Sequence, residues 1–445
     1  MSRHAPQRIS LAIATAIAAV LLAGCRLDAA TDPHTPDPTD VHDAHPDASD
    51  PGTTRDDVAD PTTTPSPGTI PSSGPNNSSG PDNTAPEDDR SCLAVLVGDY
   101  TQTASLSRVD AHSLTVERNL TSLFADTVIR RVGDRLFALE RLGADTLVEL
   151  DPERSFAVHS QRSLGSRSNP WDIIAQDDAH GWISLYGEDR IAQVHLDPGG
   201  PARSGTSVDV SPWAPAGGDA LPAFLLPADG AVHVVLQRLR RFSCGDDTAG
   251  AVLRWPAEAF AQPADAGTVD LPAPTEITLS FCNPVTAIPV ADGLLVGSAG
   301  NYRVRGQRED DGGIEWLGHD GTRAVLATEA DLGDRDVVLL RPASAPGQAW
   351  VLAADESFST AVFSLDLRHG VVDNEPIHAS EGVQDLIDLD GVLWIADRNP
   401  ARPGLVRVDA ATGARLDGGR PLAVGGMPQT LVALPRERCG WRSTP

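Results

Sequence analysis

Lysine is absent: all 35 basic residues among the 445 are arginine. That gap reads as the compositional habit of a GC-rich genome and carries no mechanism by itself. Aromatic residues make up only 4%, while glycine and proline number 40 and 36. Few aromatics and many turn formers argue against a helical bundle and suit an all-β chain of short strands. Positive charge is also scarce, since 62 acidic residues leave a net charge of −27. Neutralising phosphates needs a basic surface, so no nucleic acid is expected as a partner. Enzyme signatures are missing too: there is no GxSxG, no HExxH and no Walker loop. Ser298, in "VGSAGN", lacks the glycine pattern of a nucleophile elbow and reads as the start of a loop.

What is present begins with a leader. Arg3 and Arg8 precede an apolar run over 9–23 that is too short for a comfortable membrane span, and "LLAGC" follows. This order resembles a bacterial lipobox, which implies acylation of Cys25, removal of residues 1–24 and a lipid-anchored, exported protein. Arg26, in place of an inner-membrane-retaining Asp, points to the outer membrane. Residues 25–91 then form a tether. Between 26 and 91 there are 12 prolines, and 14 acids against three arginines give −11. Such a segment cannot bury enough apolar surface to fold, and its self-repulsion extends it. His34, His42 and His45 sit among its aspartates, but without a fold to fix ligand geometry they read as part of a solvated spacer.

The remaining residues, 92–445, repeat. "LVRVDAATG" near the C-terminus has counterparts in "LSRVDAHS", "LVELDPER", "AQVHLDPG" and "VFSLDLRHG", with degenerate copies in "AVLRWPAE" and "IEWLGHDG". A second apolar strand precedes each of the seven, for example "CLAVLVGDY", "GWISLYGED" and "VLWIADR". A third lies upstream in six cases. The missing seventh appears at the far end of the chain, as "MPQTLVALP". This pattern predicts a seven-bladed β-propeller, with six or eight blades as alternatives, closed by a C-terminal strand pairing with the N-terminal ones. Counting the closing blade as the first, Trp182, Trp350 and Trp394 fall on second strands and are expected between blades.

Phrases such as "LWIADRNPARPGLVRVDAATG" resemble the YVTN, NHL and gluconolactonase-like propellers. The resemblance covers nearly all of 93–435 and implies the fold more firmly than any activity. In gluconolactonase-like enzymes a divalent cation sits in the central channel on Glu, Asn and Asp. The positions here that answer to this are Asn169, Asn283 and Asp385, and Ca²⁺ is the cofactor the resemblance admits. No matching Glu is identifiable, and Asn-Pro is also a common turn opener.

Four cysteines remain besides Cys25. The propeller pairs Cys92 with Cys439 across the gap in the closing blade. It also pairs Cys244, in a loop of blade four, with Cys282 at the start of blade five. Two further groups could serve a ligand. Asp99, Glu140, Glu188, Asp355 and Asp397 end second strands around one face, where turn chemistry alone predicts acids. On the same face, two insertions concentrate arginine: Arg238, Arg240 and Arg241, and Tyr302, Arg303, Arg305 and Arg308. The domain carries 30 arginines against 48 acids, so this clustering runs against its background. Arginine forks suit carboxylate, phosphate or sulfate, and Tyr can stack on a sugar.

The expectation is therefore a monomeric propeller, lipid-anchored in the cell envelope, that binds an acidic glycan or an envelope protein without catalysis. The rivals are a metal-dependent lactonase in the channel and a scaffold for envelope assembly.

Overall fold

The computed structural model describes residues 92–439, apart from 241–242, 246–247, 263–265, 302–310 and 374. The leader and tether, and with them Cys25, lie outside these residues. The described chain forms seven antiparallel sheets. Blade one joins both ends of the chain: β1 (Cys92–Gly98), β2 (Thr103–Asp110) and β3 (Val116–Phe124), with β28 (Pro428–Leu434) added alongside β1.

Blade two is β4 (Thr127–Val132), β5 (Arg135–Glu140), β6 (Thr146–Asp151) and β7 (Ala157–Ser163). Blade three is β8 (Pro170–Ala175), β9 (His180–Leu185), β10 (Arg190–His195) and β11 (Arg203–Asp209). Blade four holds β12 (Pro222–Ala228), β13 (Ala231–Leu236), β14 (Ala251–Pro256) and β15 (Thr275–Thr278). Blade five holds β16 (Pro284–Val290), β17 (Gly293–Ser298), β18 (Gly313–Gly318) and β19 (Arg323–Thr328).

In blade six, β20 (Asp336–Pro342), β21 (Gln348–Ala354) and β22 (Thr360–Asp366) carry a broken outer strand, β23 (Val371–Val372) and β24 (His378–Ser380). Blade seven has three strands, β25 (Val383–Leu389), β26 (Val392–Asp397) and β27 (Gly404–Asp409). The chain after β27 covers its edge, with Leu405 and Leu422 exchanging backbone hydrogen bonds of 2.9 and 2.8 Å.

The first strands touch in a closed cycle, β28–β4–β8–β12–β16–β20–β25 and back to β28, so they line the centre of a seven-bladed ring. Second strands such as β1, β5 and β13 are buried along almost their whole length and mostly apolar, with Arg135, Glu140 and His233 the exceptions, because a neighbouring blade covers each of their faces. Trp182, Trp350 and Trp394 are buried there, as expected. Hairpins join first to second strands, and two of them turn on Asp-Gly with positive φ at both residues: Asp229 (48°) with Gly230 (63°), and Asp390 (53°) with Gly391 (75°). That pair of left-handed residues matches the twist of the flanking strands.

Blade one has no such hairpin. There the Cys92–Cys439 bridge joins the two ends of the chain, with Cα atoms 6.4 Å apart, and Cys244–Cys282 forms as well (6.0 Å). Three first strands also reach across to the next blade. Asp172 Oδ2 accepts the Leu225 N–H (3.0 Å), Thr286 Oγ1 that of Leu340 (3.0 Å), and Asp385 Oδ2 that of Leu431 (2.8 Å). Two of these staples are charged and carry an arginine from the preceding blade, Arg130 on Asp172 and Arg341 on Asp385.

Candidate functional site

First strands begin, and second strands end, at the same mouth of the channel. Several first strands are irregular there. Pairing shifts register after Pro170, Pro222, Pro284 and Val383, and between Leu96 and Val97 opposite β28. A β-bulge inserts an extra residue and re-aims its side chain. In blade three the residue after the shift is Trp171; in blades seven and one it is Gln384 and Gln429.

Around this mouth the residues that follow the second strands meet the bulged ones. Tyr100, after β1, donates its hydroxyl to Gln384 Oε1 (3.2 Å). The Arg398 guanidinium, after β26, lies over the Tyr100 ring, 4.6 Å from its centroid. Arg141, after β5, holds Asp126 Oδ1 with Nε (3.2 Å) and Nη2, and sits 4.4 Å over the ring of Trp171. Trp171 stacks on Tyr186, after β9, with centroids 4.6 Å apart. Tyr186 donates to Gln237 Oε1 (2.6 Å), and Gln237 Nε2 donates to the Pro284 carbonyl (3.1 Å). The wall so formed runs from blade seven through blades one, two, three and four to blade five.

Its electrostatics are unusual. Burial pushes the Tyr100 phenol up; Asp126 and Asp385 add to that shift, and the guanidiniums of Arg398 and Arg141 oppose it. Burial lowers the pKa of Arg398. Several polar atoms of the mouth are buried with no hydrogen-bond partner in the protein: Asp126 Oδ2, Ser168 Oγ, Asn169 Oδ1, Ser298 Oγ and both amide atoms of Gln429. Buried polar groups are ordinarily satisfied, so these atoms are free to take a hydrogen bond from water or from a ligand.

The predicted residues fall differently. Asp385 is filled: Oδ1 accepts Arg341 (2.9 and 2.7 Å) and Oδ2 accepts Leu431. Asn283 has φ 56° and donates Nδ2 to the Gly300 carbonyl, and Asn169 has φ 43°; both serve as turn openers before a proline. Among the described residues, no group of three or more His, Cys, Asp or Glu could hold a metal ion. The acids ending second strands close turns or pair locally. Asp99 accepts Thr101 and Gln102, Asp355 accepts Ser357 and Ser359, Asp397 accepts Asn399, and Glu188 pairs with Arg203.

Arg238 pairs with Glu276 (3.5 Å), and Arg240 lies against Gly245. Arg241, Tyr302, Arg303, Arg305 and Arg308 lie outside the described residues. The bases of the two insertions do meet, since Cys244 N–H donates to Asn301 Oδ1 (2.8 Å). Ser298 is the fully buried last residue of β17.

No family model and no curated protein matches the chain. Among solved structures, the periplasmic gluconolactonase PpgL of Pseudomonas aeruginosa is similar, with a TM-score of 0.52 and 15% identity, over 77% of this chain and 99% of that one. Others are apo AztD of Citrobacter koseri (TM-score 0.43, 10% identity, 78% of this chain and 98% of that one) and virginiamycin B lyase of Staphylococcus aureus (0.44, 12%, 71% and 94%). At such identity the likeness to PpgL establishes a shared propeller fold and leaves the chemistry open.

Proposed function

We propose that the domain is a non-enzymatic binding module that takes a saccharide at the loop-rich mouth of its channel. The carrying observation is the set of buried, unpartnered polar atoms beside the Tyr100–Arg398 and Arg141–Trp171–Tyr186 contacts. Sugars supply many hydroxyls for such atoms and an apolar ring face for aromatic walls. In this reading Cys25 is acylated, residues 25–91 are the spacer, and the monomeric propeller is presented at the outer membrane. The arginine-bearing insertions, with Arg238 and Arg240 at one base, extend the same face towards an acidic glycan or an envelope protein.

Lactone hydrolysis is the second reading, favoured by the fold shared with a gluconolactonase. All seven blades and both disulfides lie within 92–439, so the domain is self-contained and can be tested alone. A saccharide at 100 times its dissociation constant adds about 2.7 kcal/mol, which for about 350 residues raises Tm by about 4 °C. Melting curves with acidic and neutral oligosaccharides should show that rise, with no shift from Ca²⁺ or EDTA. Turnover of gluconolactone that EDTA abolishes and Ca²⁺ restores would replace binding by hydrolysis.

A further inference from the structure

Four arginines of the described domain are buried: Arg108, Arg141, Arg162 and Arg398. Their partners separate them. Arg108 is held by Glu117 and Arg141 by Asp126. Arg162 donates to two carbonyls, Asp197 (2.8 Å) and Leu196 (3.4 Å). Arg398 is 8% exposed, yet among the described residues no carboxylate forms an ion pair with it. Its hydrogen bonds run to the Gly98 carbonyl, at 3.4 Å, and the Met427 sulfur, at 3.5 Å; the Tyr100 side chain lies beneath it, and the Asp99 carboxylate acts on it without forming an ion pair.

A desolvated guanidinium is costly unless it is paired, and a cation–π contact offsets only part of that cost. Gln429 provides the second observation. It is 2% exposed, both of its amide atoms lack a partner, and its Nε2 lies against Gly98, the residue whose carbonyl Arg398 reaches. A buried cation and an unsatisfied amide donor therefore adjoin one glycine at the channel mouth. Both are groups that a carboxylate satisfies directly, one oxygen or two on the guanidinium fork and a lone pair on the amide.

We propose that Arg398, Tyr100 and Gln429 form an anion subsite that takes the carboxylate of a uronic-acid residue. This rests on the reading that the mouth binds a saccharide, and it names the class of saccharide. A monoanion fits better than a phosphate or sulfated cluster. Among the described residues Arg398 is the one cation at this subsite without a carboxylate ion pair, while the domain around it carries a net −18, from 30 arginines against 48 acids, so a dianion would be left half neutralised. The Tyr100 hydroxyl, fixed on Gln384, keeps the ring face beneath the guanidinium and holds the fork in place.

The test is calorimetric titration of the domain with trigalacturonate and with its methyl-esterified trimer, which has the same hydroxyls and no charge. The wild-type domain should bind the acid at least tenfold more tightly than the ester, with an affinity that falls as NaCl rises. Arg398→Gln should remove that preference and leave the ester's affinity in place. If that variant no longer melts cooperatively, Gln429→Glu carries the test: it adds a carboxylate beside the guanidinium, keeps the side-chain volume and should also abolish the preference. Equal affinity for acid and ester, or an acid affinity untouched by both variants, would overturn the carboxylate subsite while leaving a saccharide site standing. Failure of both trimers to bind would overturn the saccharide reading and the subsite with it.

Discussion

The bridge between Cys92 and Cys439 closes the ring at its only covalent gap, and its contribution can be worked out against that of the other bridge. Replacing both cysteines by serine frees a loop of 347 residues in the unfolded chain, whereas Cys244→Ser with Cys282→Ser frees one of 38. Loop-closure entropy puts the two losses at about 6 and about 4 kcal/mol, so the closing bridge should count for about 2 kcal/mol more. Absolute losses are commonly smaller than this relation gives, but the difference depends only on the ratio of loop lengths. The closing variant should also open locally. β28 pairs through its main chain with β1 alone, and without the latch its amides, Leu431 among them, should lose exchange protection before those of β13 or β21. Guanidinium titrations followed by tryptophan fluorescence measure the first effect, and native-state hydrogen exchange the second. Equal losses from the two bridges, or a larger loss from the short one, would refute the reasoning.

Further outcomes follow from particular side chains. Asp385→Ala strands Arg341 and the Leu431 N–H, and should cost about 3–5 kcal/mol. Thr286→Val removes only a neutral acceptor from Leu340 and should cost about 1–3 kcal/mol, so thermal melts of the two variants rank charged against neutral staples. His233 is buried on β13 with its pKa lowered to about 4, chiefly by burial. The unfolded chain takes up a proton near pH 6.5 that the folded chain refuses until about pH 4. The stability His233 contributes is therefore complete above pH 6.5 and falls by about 3 kcal/mol as pH drops through that window. His233→Asn should flatten urea-derived stability between pH 6.5 and 4; an unchanged slope would contradict this.

The ring was legible in the sequence because second strands are mostly apolar and recur seven times, and because "MPQTLVALP" supplies the first strand that Cys92–Gly98 lacks. Both disulfides followed from that topology. Outer strands were less legible, since they bury little. "SLTVERNL" anticipates β3 only from Val116 onward, and in "GVVDNEP" Val371 and Val372 form the short β23. The mouth itself was missed by one residue in three blades. Glu140 and Asp397 end their strands as read and Asp99 follows the end of β1, but Tyr100, Arg141 and Arg398 directly after them make the wall. A lone Tyr or Arg after a strand has no local pattern, and its partners lie in other blades. Gln384 stands 284 residues from Tyr100, a proximity that only the closed ring creates.

The most direct test of a ligand site at this mouth is a hydrogen-exchange footprint of the domain with trigalacturonate at saturation. Protection should concentrate at the ends of second strands and the starts of first strands, around Tyr100, Asn169, Gln384, Arg398 and Gln429. Protection confined to the outer strands, or to the hairpin turns at Asp229–Gly230 and Asp390–Gly391 on the opposite face, would contradict it.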